Sequence, residues 1–155
     1  MTHDTENEHY AGLECKHSSS LDEYHYAKLE HGHIITVTCM LSECRRMIPS
    51  KFVRLKDLGD LRVIHLMNAR GECRHIGVTE TVEEIHKQMI SQRDFITLSK
   101  DWPNGESKEI PRSKIRIIRE FCSFVRVDYE DGGTIVSIDA RETIEELQDQ
   151  IRGTI

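Results

Sequence analysis

Residues 81–89, TVEEIHKQM, and residues 143–151, TIEELQDQI, are nearly one segment written twice, 62 positions apart. Each opens with the same capping box, Thr81 with Glu84 and Thr143 with Glu146, in which hydroxyl and carboxylate satisfy free amides of a first helical turn. Val82, Ile85 and Met89, like Ile144, Leu147 and Ile151, recur at i, i+3 and i+7, so each helix is predicted to show one apolar stripe to a sheet. Working back from the helices, RVIHLMNARG (62–71) lies over SFVRVDYEDG (123–132) at an offset of 61, placing Ile64 on Val125 and Leu66 on Val127. Ile48-Pro49 matches Ile110-Pro111, and IITVT (34–38) matches FITLS (95–99). The change from 61 to 62 requires a one-residue insertion, expected in the hairpin.

This self-similarity predicts a tandem duplication. The fold class expected is α+β: two copies of a small unit of about four strands, including a β-hairpin, each closed by a C-terminal helix. The apolar run opening each unit has strand length and β-branched content. Val125, Val127 and Tyr129 alternate with Phe124, Arg126 and Asp128, and Asp131-Gly132-Gly133 supplies the positive φ a tight hairpin turn needs. The units are assigned to residues 34–91 and 92–155, following an acidic, His-rich extension at 1–33. About 60 residues is near the lower limit for an independent core, so the units are expected to pack on each other or on another chain.

The extension carries six of the nine histidines. Its first 18 residues are expected to be disordered, while SSSLDEYHYAKLEHG predicts a short helix capped by Ser20 with Glu23 and ended at Gly32. Net charge is −6, and it divides unevenly: −5 over residues 1–33, +2 over 34–91 and −3 over 92–155. An acidic whole argues against non-specific nucleic-acid binding. The polar start and the lack of a long apolar run lead us to expect a cytoplasmic protein without membrane contact. Five cysteines, an odd number, then read as reduced thiols.

The order of an apolar strand, MIPSKFVRL or EIPRSKIRII, then RVIHL or FVRV, a Gly turn (NARG, EDGG), and VTETVEEI or ARETIEEL resembles the small flagellar FlbD/SwrD-like family, twice over residues 34–151. That resemblance implies the family's small fold, present twice. The second unit, IPRSKIRIIREFCSFVRVDYEDGG, is also similar, more weakly, to LytTR-type domains, which implies DNA reading by basic residues on strands and loops.

Two basic segments adjoin the Ile-Pro pairs: Arg45 and Arg46 before and Lys51 and Arg54 after the first pair, and Arg112, Lys114, Arg116 and Arg119 after the second. Brought together they would form an anion-binding surface for nucleotide or nucleic acid; as solvated strand faces they would be balanced by neighbouring carboxylates. Cys39, Cys44, Cys73 and His75 have spacings from which a tetrahedral zinc site could be built if adjacent strands converge, although buried free cysteines are common. Trp102, beside Pro-Asn-Gly, is a candidate partner anchor. No nucleophile elbow, phosphate loop or HExxH motif is present, so neither an enzyme nor a cofactor is expected. The expected function is that of a non-enzymatic adaptor or regulatory module binding a protein partner or itself; the alternative is nucleotide or nucleic-acid binding.

Overall fold

The computed structural model describes residues 26–67, 73–99 and 106–152. The chain is strand-rich with antiparallel sheets and a C-terminal helix. After β1 (Tyr26–Ala27) come β2 (Ile34–Thr38), β3 (Arg45–Pro49), a 3-10 turn at Ser50–Phe52, β4 (Arg54–Asp57), β5 (Arg62–Met67), β6 (Cys73–Val78) and α1 (Val82–His86). The same succession then recurs: β7 (Phe95–Ser99), β8 (Ser107–Pro111), a 3-10 turn at Arg112–Lys114, β9 (Ile115–Glu120), β10 (Val125–Asp131), β11 (Thr134–Ala140) and α2 (Ile144–Arg152). Among the described residues β2–β6 and β7–β11 give five strands to each succession rather than about four, because the Ile-Pro segment and the basic segment after it are separate strands with a 3-10 turn between them. Proline fixes that corner, since Pro49 and Pro111 both sit near φ −60° just before the turn.

Among the described residues the strands form three sheets, in the orders β1-β4-β5-β6, β11-β10-β9-β3-β2 and β7-β8. The second crosses the halves: β3 pairs with β9, Arg46 opposite Arg119 and Met47 opposite Ile118. The first hairpin therefore extends the sheet of the second half, and both its faces are covered. Ile35, Val37 and Ile48 join the core of Leu55, Ile64, Leu66, Val78 and Ile85, while Ile34 and Met47 join that of Ile118, Val127, Ile138, Ile144 and Leu147. This is why Ile34 to Val37 are all buried where a half-exposed strand would alternate.

The strand ladders correct the hairpin alignment. Ile64 pairs with Ile76, and Val127 with Ile138, so Ile64 stands where Val127 does and not where Val125 does. The shift is two residues, and a shift of two keeps every side chain on its face. One of the extra residues is a bulge in β9, where Ile115 faces Tyr129 and Ile117 already faces Asp128. The bulge changes the alternation, so Ile115 and Ile118 enter the second core while Ile117 enters the first.

Both helices carry the capping box expected. Glu84 N–H donates to Thr81 Oγ1 at 3.1 Å and Thr81 N–H to Glu84 Oε1 at 2.8 Å; Thr143 and Glu146 repeat this at 3.1 and 2.9 Å. Ile85, Ile144, Leu147 and Ile151 are buried. The Asp131-Gly132-Gly133 turn has φ of 61° and 89° at its glycines. No helix among the described residues is long and apolar enough to cross a membrane.

The extension departs from expectation. Tyr26–Ala27 is a strand, and Lys28–Glu30 is not helical, so the predicted helix does not form over its described part. Residues 26 and 27 instead take the open edge of β4, Tyr26 opposite Lys56 and Ala27 opposite Leu55. Backbone groups on a strand edge gain more from a ladder than a short isolated helix gains from itself. The first 18 residues lie outside the described residues.

Candidate functional site

The outer edges of β2 and β7 are closed by side chains. Gln88 accepts from Thr36 N–H at 2.6 Å and donates to Thr36 C=O at 2.9 Å, as a neighbouring strand would. Gln150 does the same to Thr97, at 2.7 and 3.0 Å. Gln92 treats Ile34 likewise, and Glu80 and Glu142 accept from Thr38 and Ser99 N–H. These edges are thereby withdrawn from pairing with another chain.

The two basic segments do meet, at the junction of the halves. Lys51 and Arg112 line one cleft of about 160 Å³ with His33, Pro49, Ser113 and Ile115. Phe52 lies between the segments, its ring facing Lys51 at 5.1 Å and Arg116 at 5.2 Å. Carboxylates are interleaved among the cations, however. Arg45 donates to both oxygens of Glu120, at 3.0 and 2.7 Å, and pairs with Glu145 at 2.7 Å. Arg116 and Lys114 reach Glu130 at 3.3 and 4.0 Å, and Arg112 faces Asp94 at 3.6 Å while bonding the Gly32 carbonyl. Arg119 pairs with buried Asp128 at 3.2 Å, and Asp128 also accepts from Ser137 at 2.6 Å. Arg54 lies over the Tyr26 ring at 3.9 Å, and Arg46 faces Arg119 across the β3–β9 ladder.

Hydrogen bonding from Arg45 holds the carboxyls of Glu120 and Glu145 below the usual 4.5, and the two carboxylates raise Arg45 above its ordinary value. The pairing is bidentate toward Glu120, the geometry a guanidinium fork favours. Arg45 belongs to the first hairpin, Glu120 to β9 and Glu145 to α2, so this cluster joins the halves.

At the β9–β10 turn, Phe121 stacks on Phe124 with ring centroids 4.9 Å apart. Arg126 lies over both rings, at 5.5 and 5.3 Å, and Arg119 over Phe121 at 5.8 Å. Phe121 is 38% exposed, and the thiol-bearing Cys122 beside it is exposed as well. The sequence reading places Phe124 in an alternating strand and does not single out Phe121; two aromatics flanking a two-residue turn between arginines were the signal available.

Of the proposed metal ligands, Cys39 and Cys44 lie together at the first hairpin turn, where Cys39 N–H donates to Cys44 C=O. Cys39 is bridged to Val78, at one end of β6, and Cys73 begins that strand five residues away, about 17 Å along it. His75 lies between them and stacks on His65 at 4.1 Å. The strands thus spread the four residues along an edge rather than converging them. Among the described residues no group of three or more His, Cys, Asp or Glu is placed to hold a metal. Trp102 lies outside the described residues.

Comparison of the chain with protein-family models, with curated proteins and with solved structures finds no match in any of the three.

Proposed function

We propose that the chain is two tandem copies of one small FlbD/SwrD-like unit, interlocked through the first hairpin, and that it works in the cytoplasm as a non-enzymatic adaptor or regulatory module through protein contacts. The duplication is supported by equivalent hydrogen bonds, the Gln88–Thr36 pair recurring as Gln150–Thr97. Ser50 N–H to His33 C=O likewise recurs as Arg112 N–H to Asp94 C=O. The observation that carries the binding reading is the half-exposed Phe121–Phe124 stack flanked by Arg119 and Arg126, since aromatic and arginine side chains dominate binding energy at protein interfaces.

The test is quantitative co-purification from the native host of the unaltered protein and of a Phe121→Ala/Phe124→Ala double variant. A discrete protein partner retained by the first and lost by the second is expected. An unchanged set of co-purifying proteins would remove the aromatic pair as the contact. A second reading, anion binding in the cleft of Lys51 and Arg112, is supported by the meeting of the two basic segments there. It requires nucleotide or nucleic-acid affinity that falls steeply with salt, because phosphate recognition releases counterions.

A further inference from the structure

The two halves solve one problem differently. The rung Met47–Ile118–Val127–Ile138 in the second half has its counterpart in Ala27–Leu55–Ile64–Ile76 in the first. β1 thus stands on β4 as β3 stands on β9, antiparallel and in equivalent register. Where β3 is five residues long and pairs on its far side with β2, β1 comprises Tyr26 and Ala27 among the described residues and has no described strand beyond it. Where β3 inserts Met47, which is 1% exposed, β1 offers only the methyl of a partly buried Ala27.

We propose that β1 is a removable strand and that the β4 edge beneath it is the docking edge for an extended segment of a protein partner, laid antiparallel to β4. Its chemistry follows from the occupant of the equivalent edge: a long apolar side chain opposite Leu55, preceded by a flat or basic one opposite Lys56. The Tyr26 ring marks that second position, with its hydroxyl 3.2 Å from His65 Nδ1 and the Arg54 guanidinium over its face. A main-chain ladder supplies affinity in such strand addition and the alternate side chains supply specificity. The β8 strand of a second copy does not fit this description. Its Glu109 stands where Met47 stands in β3, and docking would bury that carboxylate against Leu55.

This inference rests on the protein-contact reading, and one probe separates the two. The probe is a labelled synthetic peptide of residues 44–50 carrying Cys44→Ser, with a Met47→Asp version as control, titrated into the full-length protein. An edge that is open only part of the time binds with affinity reduced by that fraction. Ala27→Asp, which ejects β1, is therefore expected to tighten peptide binding about ten-fold, and Ala27→Met, which fills the slot, to weaken it about ten-fold. The Phe121→Ala/Phe124→Ala variant should bind the peptide as the unaltered protein does. Equal affinity across the Ala27 series, or equal affinity for the control peptide, overturns the proposal. Hydrogen exchange on the unaltered chain tests it without substitution: the amides of 54–57 directed at β1 should exchange at least about ten-fold faster than those of 117–120 directed at β3, because local opening sets protection. Equal protection of the two edges also overturns it. Loss of peptide binding with a Phe121-dependent partner intact would remove the docking edge alone, and the reverse outcome would remove the aromatic contact alone.

Discussion

Met47 and Ile118 face each other across the only ladder that joins the two halves among the described residues, and both are buried in the second core. The first hairpin is therefore a structural part of both halves at once, with Ile35 and Ile48 on its other face serving the first core. Truncating Met47 should be felt by both. Met47→Ala is expected to cost about 2–5 kcal/mol, the range for removing a large buried apolar side chain. Ala27→Gly, at the equivalent place, should cost no more than about 1 kcal/mol. Chemical denaturation of the two variants checks the contrast, and similar losses would contradict it.

Gln88 and Gln150 test the closed edges. Gln150→Ala removes both partners of the Thr97 main chain and should cost about 1 kcal/mol, with Gln88→Ala costing more because Thr36 is buried and its freed groups lack water. Unaltered stability in both would mean that the amides only lie along the strands.

The Arg45 cluster gives stability a pH dependence. The carboxyls of Glu120 and Glu145 are held below 4.5, so their contribution is fully present above that value and is lost as pH falls through their lowered folded-state values. Arg45→Met should flatten this acid limb of the thermal stability curve. An identical acid limb in the variant would contradict the assignment. Glu145 is largely solvent-facing and Glu120 partly so, and screening by salt should shrink the effect.

Ile64→Asp and Val127→Asp each place a charge on a fully buried position of a central strand, and each is expected to abolish cooperative folding. A soluble variant with a sharp thermal transition would contradict the strand register.

Much of this architecture is legible in the residues. The paired Thr and Glu of each capping box and the Asp-Gly-Gly turn act through local geometry, and each is found where the pattern places it. What the residues conceal is non-local. Ser20 and Glu23 suggest a helix, yet Tyr26 and Ala27 answer to the open edge of β4, which lies 28 residues or more down the chain. Asp128 sits on the polar side of an alternating strand and is nonetheless buried, because Arg119 and Ser137 satisfy it. Gln88 and Gln150 occupy matched places in the two closing segments, and that identity was the available signal for the edge-closing amides. The sequence offers the basic segments either as one anion-binding surface or as strand faces balanced by carboxylates, and only the fold establishes that Glu120, Glu130, Asp94 and Asp128 are the carboxylates beside them.

The central claim is that the halves are equivalent units interlocked by the first hairpin. It is tested most directly by placing a protease site at the exposed residues Ile90 and Ser91, between α1 and β7, and cleaving the folded protein. The account predicts that the two fragments stay together as a 1:1 complex in size-exclusion chromatography and melt in one transition. Two fragments that separate as independently folded domains would contradict it.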